Sequence, residues 1–400
     1  MNMADIAVVG GGASGLVASI EAARRGASVI ILERNTRLAK KILSTGNGRC
    51  NITNRYIAPD RYYGDRSFAS CVLSLADINM TIDFFESIGI LCIEDIDGKM
   101  YPRSLQAATV SDLLREETAR LNIKVLTDFQ VKSIEKGKKF LLSNANEKIE
   151  ATKVILACGG KAAPTMGTDG TSYSLAEELG HRKTALYPSL VQLKTENPMK
   201  ALKGVKQNCT VTLFLDGRKT RQENGEVLFT EYGISGPPVF NLSGQASCAV
   251  EAGKNTEVSL DLAEDISFPD LVNLIEDRLK MFPHFTKENR LNGLLHKKVG
   301  YEIVKIAHSP REMASMIKDF RTKITGTTGF KNAQVTSGGI VTSEINPETC
   351  ESKKTKGLYI TGEMLDVDGD CGGFNLQFAW STGIIAGRNA AEEVKNVFTQ

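Results

Sequence analysis

Three glycines pose the first chemical question. Gly10, Gly12 and Gly15 stand in the spacing Gly-x-Gly-x-x-Gly, within Gly10-Gly11-Gly12-Ala13-Ser14-Gly15. That spacing suits a pyrophosphate. The first glycine allows a tight turn, the second lets backbone amides approach the phosphates, and the third lets a helix pack on the preceding strand. Ala13 and Ser14 then open a helix whose N-terminus faces the phosphate charge. Glu33 follows at the end of the next apolar run, with Arg34 beside it. A carboxylate there accepts hydrogen bonds from both hydroxyls of an adenosine ribose.

Two further glycine-rich stretches bear on which dinucleotide is held. Gly159-Gly160 follows an apolar run ending at Ala157, and Gly362-Glu363 to Gly372-Gly373 follows Gly357-Leu358-Tyr359-Ile360. A nicotinamide nucleotide rarely needs the far end of a chain. FAD does, because its flavin end must also be enclosed, so the expected cofactor is FAD. A second Gly-x-Gly-x-x-Gly is absent, so NADH or NADPH, as co-substrate, must dock by another route. Thr45-Gly46-Asn47-Gly48-Arg49-Cys50-Asn51-Ile52-Thr53-Asn54 is too polar for a core element and reads as a loop offering donors to the ribityl chain, phosphates and ring edge. Cys50 is expected to be structural or a neighbour of the cofactor, because a flavin disulfide reductase needs two close cysteines and the next is Cys71.

No metal is expected. Asp366-x-Asp368-x-Asp370 resembles the start of a calcium loop, but Cys371 and Gln377 stand where that loop needs Gly and Glu. His181, His284, His296 and His308 are scattered, and the eight cysteines form no Cys-x-x-Cys pair.

Residues 4 to 33 read as strand, turn, helix, strand, with the helix ending near Arg25-Gly26. Residues 81–90 and 105–121 look helical, and 123–156 look like β structure. From about 205 the apolar residues alternate (Val205, Cys209, Val211, Leu213, Leu215), with Asp216-Gly217 and Asn224-Gly225 as hairpin turns. This predicts an antiparallel sheet or barrel to about 262. Residues 268–323 switch to helical spacing, with one stripe at Leu271, Leu274, Ile275 and Leu279 and another at Leu291, Leu294, Leu295 and Val299. Ser309-Pro310-Arg311-Glu312 is a capping box. Strands and a last helix from about 376 follow. The fold expected is α/β: a Rossmann-like FAD domain from both chain ends (1–187 and 333–400), with an inserted β-barrel-like domain (188–266 plus 324–332) and a small helical subdomain (267–323).

The 400 residues are 42% apolar and 24% charged, which fits a globular chain of two or three domains. A formal charge of +2 gives no global reason to expect nucleic acid or an anionic membrane. No apolar window is long enough to span a membrane, and no basic leader precedes Ala4–Val9, so a cytoplasmic location is expected. Oligomeric state is left open.

Thr45–Asn54, Leu228-Phe229-Thr230-Glu231-Tyr232-Gly233-Ile234-Ser235-Gly236-Pro237, Val335–Ile340, Glu351-Ser352-Lys353, Gly362–Asp366 and Gly372–Gln377 together resemble the BaiN/RdsA-type family of FAD-dependent oxidoreductases, over essentially the whole chain. The resemblance implies reduction of a conjugated double bond in a 3-oxo bile acid, a flat apolar carbonyl compound, or, on another branch, an aminoacetone-type oxidase making hydrogen peroxide. A flavin-binding redox sensor is the non-catalytic alternative. The resemblance places Gly10, Gly12, Ala13, Ser14 and Gly15 on the pyrophosphate and Glu33 at the ribose; Arg34 is also expected to bind the cofactor. It places Lys41, Gly46, Asn47, Gly48, Arg49, Cys50, Asn51, Gly159, Gly362, Glu363 and Gly373 along FAD, the Val131 backbone at the adenine, and Asp366, Asn375, Leu376 and Gln377 at the flavin end. Many members have His where this chain has Glu231. Tyr232 is the first candidate to polarise or protonate an enone; Glu231, Tyr101 and Arg103 follow.

Overall fold

The computed structural model describes residues 2–398. It divides into two compact units, one built from both chain ends, up to Leu186 and again from Val335, and one from Tyr187–Gln334.

The first unit forms around β1 (Asn2–Val9), α1 (Ala13–Arg24) and β2 (Val29–Leu32). β2 is Val-Ile-Ile-Leu, all four buried, as a parallel strand covered on both faces must be. A seven-stranded sheet runs in the order Lys124–Leu126, β2, β1, Lys148–Leu156, Phe140–Ser143, Ser133–Lys136. The long strand Lys148–Leu156 serves two partners on one edge. Its first half pairs antiparallel with Phe140–Ser143, and its second half pairs parallel with Leu358–Ile360. The chain therefore leaves this sheet and returns to it about 200 residues later.

The last helix, Phe374–Phe398, packs on α1. Gly383 and Gly387 lie four residues apart, on one face of that helix. A Cβ at either would collide with the Ser14 or the Ala18 carbonyl oxygen. Glycine is required there by close approach, not by a turn.

Glu344 ties the return segment down. It is 6% exposed and accepts from the Arg182 amide at 2.9 Å and the Arg182 Nε at 2.6 Å. Lys354 Nζ lies 2.8 Å away and His181 Nδ1 3.3 Å. His181 Nε2 bonds the Ser352 hydroxyl at 2.8 Å. Burial works to raise the Glu344 pKa, but Lys354 and Arg182 outweigh it and hold it at about 2.

The second unit is a closed barrel in the order Leu193–Thr195, Gly233–Ser235, Arg218–Phe229, Lys206–Leu215, Thr256–Asp261, Phe320–Thr327. Cys209, Val211 and Leu213 are buried, as their shared parity requires. Asp216-Gly217 makes a hairpin turn with φ of 49° and 78°. Three expectations fail here. Asn224-Gly225 is no turn; it lies inside Arg218–Phe229, opposite Thr210 and Cys209, because the hairpin already closes at Asp216-Gly217. Pro237–Glu251 is a helix inside the stretch read as sheet, opened by two prolines and burying Val239, Leu242, Ala246 and Ala249 at helical spacing. Leu291, Leu294 and Leu295 precede the helix Lys297–Ile306, the first two in turns and the third in a β-bridge to Asn292, so the second stripe is not one helical face, though Leu291 and Leu295 are buried. The capping box at Ser309 is formed. Helices and barrel share one core through Leu260, Leu271, Ile275, Val299, Ile303 and Met313.

Among the described residues no single helix is long and apolar enough to cross a membrane.

Because the Glu344 pKa is depressed in the fold, its stabilisation is present above the usual 4.5 and is lost as pH falls toward 2. Glu344→Gln is expected to lower the melting temperature at pH 7, with the gap to wild type closing between pH 4.5 and 2. Thermal unfolding across that range checks it; a gap that does not change with pH contradicts it.

Candidate dinucleotide and active site

The turn after β1 is shaped by contacts. Gly10 has φ 106°, and a Cβ there would strike the Ala157 carbonyl. A Cβ at Gly15 would strike the Gly10 carbonyl. Gly12 differs, because no atom lies within 4 Å of where its Cβ would sit. No side chain caps α1. Its first-turn amides, Ala13 and Ser14 included, are donors awaiting an acceptor in open space beside Gly12. Ser14 Oγ accepts from Thr361 Oγ1 at 3.1 Å, and a Cβ on Gly362 would stand 2.8 Å from it, so the return segment abuts the start of α1.

Glu33 is 6% exposed, and its two oxygens reach different partners. Oε2 accepts from the Gly11 amide at 2.7 Å, and Oε1 from the Asn35 amide and side chain, each at 2.7 Å. A carboxylate has about four acceptor positions, so three bonds leave room for a hydroxyl. Phe129 N–H bonds the Glu33 carbonyl at 2.9 Å, and, two residues on, the Val131 peptide group has no hydrogen-bond partner among the described residues. Arg34 turns aside and grips Asp169 at 2.8 and 3.0 Å. Burial opposes ionisation of Asp169, yet Arg34 and Thr171 hold its carboxyl far below the usual range. Arg34 thus clamps the loop after Gly159, which has φ 73°.

The return segment completes the lining. Glu363 Oε2 lies 2.7 Å from Lys41 Nζ, and its Oε1 accepts from the Thr336 amide at 2.9 Å. Gly46, Asn47, Gly48 and Cys50 all have φ between 54° and 81°. Gly46 needs to be glycine, since a Cβ would stand 2.7 Å from the Asn51 nitrogen. Cys50 is fully buried, and burial pushes its thiol up to about 12, so it is no thiolate at neutral pH. Gly373 has φ 101° and lies against the Thr53 carbonyl and Asn51 Oδ1. Asn51 Oδ1 is buried without a partner. A native fold rarely leaves such an acceptor orphaned. The orphan and the vacant flank of Gly12 both fit a long polar ligand running from Glu33 past α1 to Gly373.

Not every expected residue faces that line. The Gln377 side chain is locked inside, accepting from Thr53 Oγ1 at 2.6 Å and donating to Thr81 and Ser381, so only its backbone is available. Asn375 spends its amide on both backbone groups of Gly369. Leu376 is half-buried. Asp366 is half-buried, with its pKa raised by burial and by Asp65 against a bond from Thr184.

The expected catalytic groups come from both units. Tyr232 and Glu231 belong to the barrel unit. Glu231 is 60% exposed and 2.5 Å from Lys203, which holds its carboxyl below the usual range and unsuits it to donate a proton. Arg103 is exposed. Tyr101 is 4% exposed, with the Arg49 guanidinium 4.6 Å over its ring.

A parallel sheet, an open glycine turn at a helix start and an acidic residue after the second strand define a Rossmann-type nucleotide-binding protein with an inserted barrel. The chain belongs to the HI0933-like family, whose Rossmann domain it matches over residues 4–389. It is 39% identical over 405 residues to the 3-dehydro-bile acid delta(4,6)-reductase of Clostridium scindens, covering 97% of this chain and 99% of that one. It is 28% identical to the ribosomal RNA dihydrouridine synthase of Escherichia coli, covering 96% of each. Among solved structures, the 3-ketosteroid delta1-dehydrogenase of Sterolibacterium denitrificans aligns with TM-score 0.54 at 11% identity, over 98% of this chain and 100% of that one. The 3-ketosteroid-delta4-(5alpha)-dehydrogenase of Rhodococcus jostii aligns with TM-score 0.50 at 16% identity, over 98% and 97%. These two show the fold alone.

Two glycine variants separate packing from binding. Gly12→Ala is expected to cost at most about 1 kcal/mol of stability but to weaken adenine-dinucleotide binding at least about tenfold. Gly15→Ala should cost about 1–3 kcal/mol by overpacking. Unfolding and ligand titration check both; a Gly12→Ala protein that binds as wild type does contradicts the reading.

Proposed function

We propose that the chain binds FAD and reduces a carbon–carbon double bond conjugated to a carbonyl, in a flat apolar 3-oxo steroid or bile acid, with NADH or NADPH as the ultimate donor. The observation that carries this is the 39% identity, end to end, to a relative named for reducing a bile acid. When reduced, FAD supplies a hydride equivalent from N5 to the β-carbon of an enone. The chain's own groups bind and orient. The α1 amides hold the pyrophosphate, Glu33 the ribose, and Lys41 and Asn51 the ribityl and ring portions. The N-terminus of Phe374–Phe398 sets partial positive charge at the flavin end, which favours the anionic reduced form.

A second reading replaces the steroid with a uracil ring in RNA, as the name of the 28% identical relative suggests. Dihydrouridine is uridine with the ring double bond beside a carbonyl saturated. Both readings therefore ask for the same bond chemistry. The near-neutral charge of the chain favours the small molecule.

Purified protein is expected to be yellow, to bleach with NADH or NADPH without oxygen, and to be reoxidised by 4-androstene-3,17-dione faster than by air. If a fragment of unmodified ribosomal RNA reoxidises it and the steroid does not, the second reading replaces the first. If an aminoacetone-type amine reduces the flavin and only oxygen reoxidises it, the protein is an oxidase. If neither enone nor amine perturbs the flavin, both enzyme readings fall.

A further inference from the structure

Tyr101 lies on Lys99–Pro102, the central strand of a small antiparallel sheet with Thr53–Asn54 and Cys92–Glu94. Three observations set it apart. It is 4% exposed, and its hydroxyl makes no hydrogen bond to the described residues and is not sealed from solvent. A hydroxyl left open at the end of a buried ring is placed to bond a ligand. Its ring borders Gly46, where a Cβ would stand 3.2 Å from Cε1. The Arg49 guanidinium sits 4.6 Å over that ring and 3.8 Å from Asp95.

Gly46 links this tyrosine to the ligand line. Asn51, with its orphaned Oδ1, borders the same glycine from its own backbone side, and a Cβ on Gly373 would stand 3.0 Å from Asn51 Oδ1. An open hydroxyl and a buried, unpartnered amide oxygen therefore flank one left-handed residue at the flavin end of the path. All belong to the unit that carries the glycine turn.

We propose that the Tyr101 hydroxyl, backed by Arg49, donates the hydrogen bond that polarises the carbonyl oxygen of the substrate. The assignment rests on the conjugate-reduction reading and names the group that reading lacks. Hydride addition at the β-carbon drives negative charge onto the carbonyl oxygen. A donor already in place meets that charge without reorganisation. No proton needs to leave the tyrosine, because the interaction is a hydrogen bond to the developing enolate. Burial raises the Tyr101 pKa; Arg49 and Lys99 oppose that, and Asp95 and Cys371 add to it. The group thus stays protonated, and a donor, at neutral pH. Arg49 contributes its field through the ring face, strongest when the substrate oxygen is most negative.

The test compares wild-type holoprotein with Tyr101→Phe, which removes one oxygen and keeps the ring. With the flavin oxidised and no reductant, bound 4-androstene-3,17-dione should show its enone absorption band moved to longer wavelength in wild type and unmoved in Y101F. In anaerobic single turnover, dithionite-reduced Y101F should be reoxidised by the same enone roughly 10²-fold more slowly, with flavin content and spectrum unchanged. Arg49→Gln, at a half-exposed side chain, should reduce the band shift partway and gives the same readout if Y101F fails to fold. Equal shifts and equal rates in wild type and variants overturn the assignment. An altered flavin spectrum with an unchanged enone band also overturns it, since the hydroxyl then serves the cofactor. If no enone reoxidises the wild-type flavin, the conjugate-reduction reading itself has failed, an outcome told apart by the wild-type protein alone.

Discussion

The approach of two helices, one from each end of the chain, governs the first unit. α1 begins at the open glycine turn, and the last helix can lie against it only because Gly383 and Gly387 present no side chain to the Ser14 and Ala18 carbonyls. That contact brings Thr361 and Gly362 up to Ser14 and sets Gly373 beside Asn51. Side chains at the two glycines would push the helix out by the width of a methyl group or more. Glu363 would then lose Lys41, and the return segment would no longer complete the lining begun by residues 10 to 51. Close-packed interiors transmit such a displacement and do not absorb it.

The polar groups along this path follow one logic. Glu33 braces Gly11 and Asn35 and still has an acceptor position to offer. Asn51 and Tyr101 carry polar atoms that the protein alone leaves unpaired. An unmet hydrogen bond in a buried place costs on the order of 1–3 kcal/mol, so the orphaned Asn51 oxygen, with the open Tyr101 hydroxyl beside the same glycine, points to a partner that the chain is built to receive. Lys41 and Glu363 stand 322 positions apart and close the same boundary by charge.

Much of this was legible in the sequence because it rests on local rules. The spacing of Gly10, Gly12 and Gly15, the run Val29–Leu32 and the Ser309 capping box each carry their own physics, and each appears where expected. What was not legible depended on partners far away. Asn224-Gly225 has turn chemistry, yet the hairpin closes earlier, and its two residues are held in a strand by Thr210 and Cys209. Pro237–Glu251 sits between barrel strands, where surrounding alternation masked its helical spacing. Gln377 opens a helix at the right place, but Thr53, Thr81 and Ser381 claim its side chain. Tyr101 gave a residue type without a location; only the fold puts it beside Gly46 under Arg49.

The central claim is that one ligand spans the glycine turn and the return segment together. Calorimetric titration of apoprotein with FAD and, separately, with ADP tests it most directly. On this account ADP would reach only the lining from Glu33 to α1, while FAD would reach Asn51 and Gly373 as well. The account predicts one FAD per chain, bound more tightly than ADP by well over tenfold, about 1.4 kcal/mol for each factor of ten. Equal affinities, or no binding of FAD, would contradict it.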